Sequence, residues 1–201
     1  MTNLAAPQPR PSVERVIDKS DPRWIRLHEI IETQSLKRGD FILSSGRSSK
    51  YLFQLRQTTM MPEGAMLIGD IIVDYMNKVG LSCVGGLEMG AVPVVSAVSV
   101  MSAVKGAPKN AFFVRKAAKE HGARERIDGY VRSGAQTLIV DDVATSGGSI
   151  LKAIEGLKEE NIHCQISKAL VIVDRQEGAS ETLAKSGIEL GSIFKKEDFD
   201  I

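Results

Sequence analysis

Residues 138–150 read LIVDDVATSGGSI, an apolar run, two adjacent aspartates and then a loop of Thr, Ser and Gly. Leu138–Val140 has the composition of a strand buried on both faces, and GSILKAIEGLKEEN (148–161) has the spacing of an amphipathic helix. The stretch therefore reads as strand, turn and helix. The strand is expected to run out at Val140, leaving Asp141 and Asp142 at its carboxyl end, with the helix starting near Ser149 or Ile150. Successive amide N–H groups in such a turn, backed by a helix dipole, suit a dianionic phosphate. Gly147 and Gly148 let the backbone approach closely, and Thr145, Ser146 and Ser149 add hydroxyl donors. No Lys directly follows the glycines, and GxGxxG is absent here and from GGLEMG (85–90), where Leu87 fills the middle glycine's place. A nucleoside triphosphatase and a dinucleotide site are both disfavoured.

Two acids beside an anion site need a reason. Carboxylates accept hydrogen bonds from the vicinal hydroxyls of a ribose and can help hold a Mg²⁺-bound ligand. Read alone, the pair also fits a strand-to-helix turn whose acids merely cap the helix.

Outward from this stretch, strands alternate with helices. SKALVIVD (167–174) is another apolar strand, EGASETLAKSG (177–187) a short final helix, and an extended tail follows. LSCVGG (81–86) and NAFFVR (110–115) read as further strands, and GAVPVVSAVSVMSAV (90–104) as a buried helix. Pro62–Gly80 gives a helix through Met66, Ile68, Ile72, Tyr75, Met76 and Val79. In SDPRWIRLHEIIETQSLKRG (20–39), Ser20 or Asp21 caps a helix with Pro22 in its first turn and Gly39 ending the helical region. FILSSGRSSKYLFQL (41–55) reads as a β-hairpin around a Ser/Gly turn. Apolar strands alternating with helices predict an α/β fold, a central mostly parallel sheet covered on both faces, with the N-terminal helix and hairpin attached as a hood. Residues 1–20, with Pro7, Pro9 and Pro11, are expected to form a flexible tail, and 21–201 one domain.

Composition narrows the function. With 26 basic and 25 acidic side chains the formal charge is +1, which lacks the basic excess of a general nucleic-acid binder. Cys83 and Cys164 form no CxxC pair and read as buried free thiols, in keeping with a reducing cytoplasm. No run reaches the apolar length of a membrane span, and the N-terminus has no apolar core of a secretory signal.

FFVRKAAKEHGARERIDG (112–129) places Arg115, Lys116, Lys119 and His121 within seven positions just past a strand. Such clustering suits a departing pyrophosphate, and the segment 116–129, with Gly122 and Gly129, has the polar composition of a lid. A solvated charged loop fits the same composition.

At this point the motifs resemble those of a known family. LIVDDVATSGGSI resembles the phosphoribosyl pyrophosphate (PRPP) motif of type I phosphoribosyltransferases, and VRKAAKEHG (114–122) resembles the RKxxKxHG signature of the orotate phosphoribosyltransferases. The resemblance implies transfer of the phosphoribosyl group from PRPP to orotate, giving orotidine 5′-monophosphate (OMP) and pyrophosphate, with Mg²⁺ carried by PRPP near Asp141 and Asp142 and no fixed protein ligand. It implies that Asp141 and Asp142 face the ribose while Val143, Ala144, Thr145, Ser146, Gly147, Gly148 and Ser149 form the phosphate loop. Arg115, Lys116, Lys119 and His121 would bind pyrophosphate, with Lys119, Arg115 and His121 catalytic. It further implies a homodimer in which the 116–129 lid serves the neighbouring site. Arg175, at the end of VIVDRQEGA (171–179), would take the orotate carboxylate beside Thr145, and Tyr51, Leu52 and Phe53 would line the base pocket. Many members of the family carry lysine where Ser44 stands and Tyr–Lys where Met89–Gly90 stand. Here Ser44 offers a hydroxyl and Gly90 a backbone N–H. Two other readings remain: a transferase for another base, and a PRPP-sensing regulator that binds RNA or DNA without catalysis. The latter is disfavoured by the near-zero charge and the lack of sequence for an added DNA-binding motif.

Overall fold

The structure, a computed structural model, describes residues 13–42, 48–117 and 125–201. In chain order the strands are β1 (Glu14–Arg15), β2 (Leu36–Ile42), β3 (Ser48–Phe53), β4 (Cys83–Gly85), β5 (Asn110–Val114), β6 (Ile127–Gly129), β7 (Gln136–Ala144), β8 (Gln165–Asp174) and β9 (Glu189–Lys195). The helices are α1 (Pro22–Ile30), α2 (Arg56–Thr59), α3 (Pro62–Val79), α4 (Ala91–Val104), α5 (Gly148–Glu159) and α6 (Ala179–Ala184).

Seven strands form one sheet in the order β1-β9-β8-β7-β4-β5-β6. All its pairs are parallel except β5 with β6. Alternate residues of the central strands feed opposite faces, which is why Leu138–Val140 of β7 and Ala169–Val173 of β8 are apolar at every position. Leu138, Val140, Leu170 and Ile172 pack toward α1, α3 and α4. Ile139, Ala169 and Val171 pack toward α5 and α6. Helices cover both faces, as the alternation predicts.

From β4 the chain moves outward to β5 on one side, and from β7 it moves through β8 and β9 on the other. The order of winding therefore reverses between β4 and β7. In open parallel sheets such a reversal leaves a crevice at the carboxyl ends of the two strands, where ligands bind. The acid pair lies on β7 at that crevice.

Several elements depart from the sequence reading. The presumed C-terminal tail contains β9, buried between β8 and β1, because Leu190, Ile193 and Phe194 supply alternating apolar faces. The fold also begins before residue 21: β1 pairs with β9, and Arg15 reaches the side chain of Asp198 at 2.6 and 3.1 Å. Residues 1–12 lie outside the described part of the chain.

Asp21, not Ser20, caps α1, accepting from the Arg23 N–H at 2.8 Å. Gly39 does not end the helical region. That region closes with a π-turn over Ile31–Ser35, and Gly39 lies in β2 at φ +149°, within an irregular step of the β2–β3 hairpin between Arg38 and Phe41. α2 is a single turn that sequence periodicity cannot register. α4 is buried on one face only: Val94, Val95 and Val98 face the sheet, while Val100 and Val104 are exposed. Cys83 is buried and Cys164 only half-buried, and both are free thiols. Among the described residues no helix is long and apolar enough to cross a membrane.

Candidate active site

β7 continues through the acid pair to Ala144 rather than stopping at Val140, because the ladder to β8 persists to Ala144 opposite Asp174. The chain then turns at Gly147, whose φ of +81° favours glycine, and enters α5 at Gly148. Residues 143–150, with Asp141 and Lys152, enclose a cavity of about 270 Å³. This is the strand–loop–helix cradle expected for a phosphate. Lys152 was not singled out from the sequence. Its signal was its place one helical turn after Ser149, on the same face.

Asp141 is buried at 8% exposure and Asp142 half-buried. The Asp142 N–H donates to Asp141 Oδ1 at 3.0 Å, and the Val143 N–H donates to Asp142 Oδ1 at 2.8 Å. Both carboxyls are held above the ordinary carboxylate range. Burial is the main cause for each, and the neighbouring Asp142 adds to it for Asp141. Across the crevice lies the loop after β4, where the Glu88–Met89 peptide bond is cis. Gly90 abuts the pair so closely that a Cβ there would sit 2.5 Å from Asp141 Oδ1 and 2.6 Å from Asp142 Oδ1. Met89 is exposed. The structure thus brings Gly90 to the acid pair and leaves Met89 at the surface.

Arg115 follows β5 and has its guanidinium bound to Asp128 (Nε to Oδ2, 2.5 Å), with Glu88 Oε2 3.9 Å from Nη1. Glu88 also accepts the Lys116 N–H at 2.8 Å. Arg126 donates to the Arg115 carbonyl through Nε and Nη2 and pairs with Glu159 on α5. The segment expected as a lid therefore has fixed roots. Its last residues, 127–129, are not lid at all but the edge strand β6, paired with β5 through Phe112–Val114. Lys119 and His121 lie outside the described residues, as does Ser44.

Arg175 is the residue after β8, and its N–H donates to the Ala144 carbonyl at 3.0 Å, beside the loop. Its side chain is buried, with Nε donating to Glu177 Oε1 at 2.8 Å and Nη2 to Ser49 Oγ at 3.3 Å. The guanidinium lies over the Tyr51 ring, 4.5 Å from its centroid. A cavity of about 360 Å³ is lined by Ser48, Ser49, Lys50, Tyr51, Arg175, Glu177, Lys196 and Ile201. Phe53 shares the Tyr51 face of β3 but is buried in the core against Phe199, so it backs the cavity instead of lining it. Leu52, one residue out of phase, is half-buried and turns to the other side of the hairpin.

A strand–loop–helix cradle of this form, set at the crevice of a parallel sheet beside an acid pair, has the architecture of a phosphoribosyltransferase-type site. The family profile described as the phosphoribosyl transferase domain matches residues 62–197. An orotate phosphoribosyltransferase of Bradyrhizobium sp. (strain BTAi1) is 43% identical over 178 residues, covering 87% of this chain and 95% of that relative. One from Rhodopirellula baltica is 35% identical, covering 86% of this chain and 91% of its own length. The Mycobacterium tuberculosis orotate phosphoribosyltransferase, solved with PRPP, superposes with a TM-score of 0.73 at 30% identity, covering 88% of this chain and 98% of that one. The chain belongs to the orotate phosphoribosyltransferase family.

Proposed function

We infer that this chain transfers the 5-phosphoribosyl group of PRPP to orotate, giving OMP and pyrophosphate in pyrimidine biosynthesis. The observation that carries the choice of base is Arg175, a buried cation one strand over from the phosphate cradle. Its position suits an acceptor that carries a carboxylate. The cradle at 143–149 takes the 5′-phosphate through backbone N–H groups and the hydroxyls of Thr145, Ser146 and Ser149, with Lys152 adding charge. Asp141 and Asp142 accept from the ribose hydroxyls. Gly90 lets the backbone lie against that pair in place of a side chain.

The reaction needs no nucleophilic residue. Positive charge builds on the ribose carbon as pyrophosphate leaves, and the protein orients both partners and stabilises the departing anion. Arg115, Lys116, Lys119 and His121 supply that stabilisation, with Lys119 the main contributor. Among the described residues, no three His, Cys, Asp or Glu side chains gather to hold a metal ion by themselves. Asp141 and Asp142 instead fit an ion whose other donors are substrate oxygens. Magnesium, when bound, supplies charge compensation for the pyrophosphate.

The working unit is a homodimer in which the lid reaches the neighbouring site. An exposed apolar face supports it, made by Met60, Met66, Val100 and Val104 on α3, α4 and the turn before α3. A cytoplasmic location is supported by the free thiols of Cys83 and Cys164 and by substrates, PRPP and orotate, that are charged and water-soluble. The test is orotate consumption with PRPP and Mg²⁺, run beside uracil, hypoxanthine and a chelated control. Orotate-specific loss abolished by chelation is expected. PRPP binding with no base consumed would overturn the enzyme reading, and preference for another base would overturn the assignment of Arg175.

A further inference from the structure

The register of the three strands β7, β8 and β9 carries one more assignment. Ala144 lies opposite Asp174, and Asp174 lies opposite Lys195. Each of these residues ends its strand, so Thr145, Arg175 and Lys196 are the first residues past the carboxyl ends of three adjacent parallel strands. At about 4.8 Å between strands, these positions span about 10 Å along the ligand-binding edge of the sheet. The phosphate cradle begins on the first, the buried Arg175 stands on the second, and Lys196 stands on the third.

Lys196 shares the cavity of Arg175 and shares a ring with it. Its Nζ lies 5.4 Å from the Tyr51 centroid, while the Arg175 guanidinium lies at 4.5 Å. Much of the charge of Arg175 is already answered by Glu177 at 2.8 Å. An anion arriving at Arg175 therefore needs a second source of positive charge; of the two lysines lining the cavity, Lys50 is paired with Asp40 at 2.5 Å, and Lys196 is the one that opens the loop on the side away from the phosphate cradle. We propose that Lys196 is a second specificity determinant for the acceptor base, pairing with its carboxylate together with Arg175. The proposal rests on the reading that the base carboxylate meets Arg175.

The experiment compares Lys196→Met, Lys196→Arg and Arg175→Leu with the unaltered enzyme. It measures KM for orotate and for PRPP, together with the inhibition constant of the neutral 6-carboxamide of orotate. Methionine keeps the apolar stem against Tyr51 and removes only the charge. Lys196→Met is expected to raise KM for orotate about 10-fold, the scale of one charge-assisted hydrogen bond. PRPP and the carboxamide should be unaffected, and arginine should restore most of the orotate affinity. An unchanged orotate KM in Lys196→Met, with a large rise in Arg175→Leu, overturns the assignment of Lys196 alone. Equal losses for orotate and the carboxamide also overturn it, since Lys196 would then only wall the pocket. An unchanged orotate KM in Arg175→Leu brings down the reading beneath it.

Discussion

Gly90→Ala probes the crevice most directly. The added Cβ would meet Asp141 Oδ1 at 2.5 Å and Asp142 Oδ1 at 2.6 Å, where ordinary contact begins at 3.4 Å. The shortfall is thus 0.9 and 0.8 Å, and neither oxygen is the end of a long flexible side chain. Asp141 is buried and is tied to the Asp142 N–H, while Asp142 is tied to the Val143 N–H. Either the carboxylates swing away from the ribose position or the 87–91 loop backs off. Overpacking of this kind costs about 1–3 kcal/mol of stability. A displacement approaching 1 Å at a positioning group lowers turnover by about 10²-fold. The assay is kcat/KM for PRPP at saturating orotate, with thermal melting to separate folding from function. A drop of that order in a folded variant is expected. An alanine variant with unchanged kcat/KM and melting temperature would show that the pair is not set by this backbone, and the reasoning would fail.

Other expectations follow from the same geometry. Because burial raises both acids, the pair without ligand retains a proton that ribose hydroxyls and Mg²⁺ should expel. PRPP affinity is therefore expected to rise with pH above the ordinary carboxylate range. Calorimetry in two buffers of different ionisation enthalpy should show more proton release for the unaltered protein than for Asp141→Asn; equal release would refute this. Lys119→Ala is expected to lower kcat by about 10²–10³. Mixed with an Asp141→Asn/Asp142→Asn chain it should regain activity if lids act on the neighbouring site, and verified mixed dimers without recovery would place the lid over its own. Arg15→Ala removes the bidentate partner of Asp198, whose side chain is fully buried and keeps Lys19 at 2.6 Å. A loss of about 2 kcal/mol, or 4–8 °C in melting temperature, is expected. Burial alone would raise the Asp198 carboxyl, but its hydrogen bonds to Arg15 and Lys19 outweigh it and hold it low. That contribution is present above the ordinary carboxylate value and is lost as pH falls through the lowered one. The difference between the two proteins should therefore shrink below about pH 4.

The phosphate cradle was legible in the sequence because its parts are contiguous: strand, acids, glycines and helix succeed one another within residues 138–150. The hairpin and the parallel sheet were legible through period and composition. What the sequence hid was long-range. β9 reads as a tail until β8 and β1 flank it, and β1 is two residues whose strand character comes entirely from its partner. β6 looks like the polar end of a loop because Asp128 and Gly129 carry no strand propensity, yet pairing with β5 fixes them. Among candidate site residues, Lys196 and Lys152 escaped notice for related reasons. Neither belongs to a motif, and each acquires its place from a neighbouring strand or a helical turn. Phe53 was misplaced by half a strand's logic: sharing a face with Tyr51 put it behind the ring rather than beside the cavity.

The alignment of β7, β8 and β9 also separates two tasks in the gene. On the proposed assignments, donor recognition is written in one uninterrupted block, residues 141–149, while the acceptor is met by single residues opening the next two loops. A change at 175–177 or 196 would then alter what is accepted without rewriting what is donated. Selection or design can therefore explore new acceptors around an untouched cradle, each trial needing one codon at the end of a strand that the rest of the sheet already holds in place.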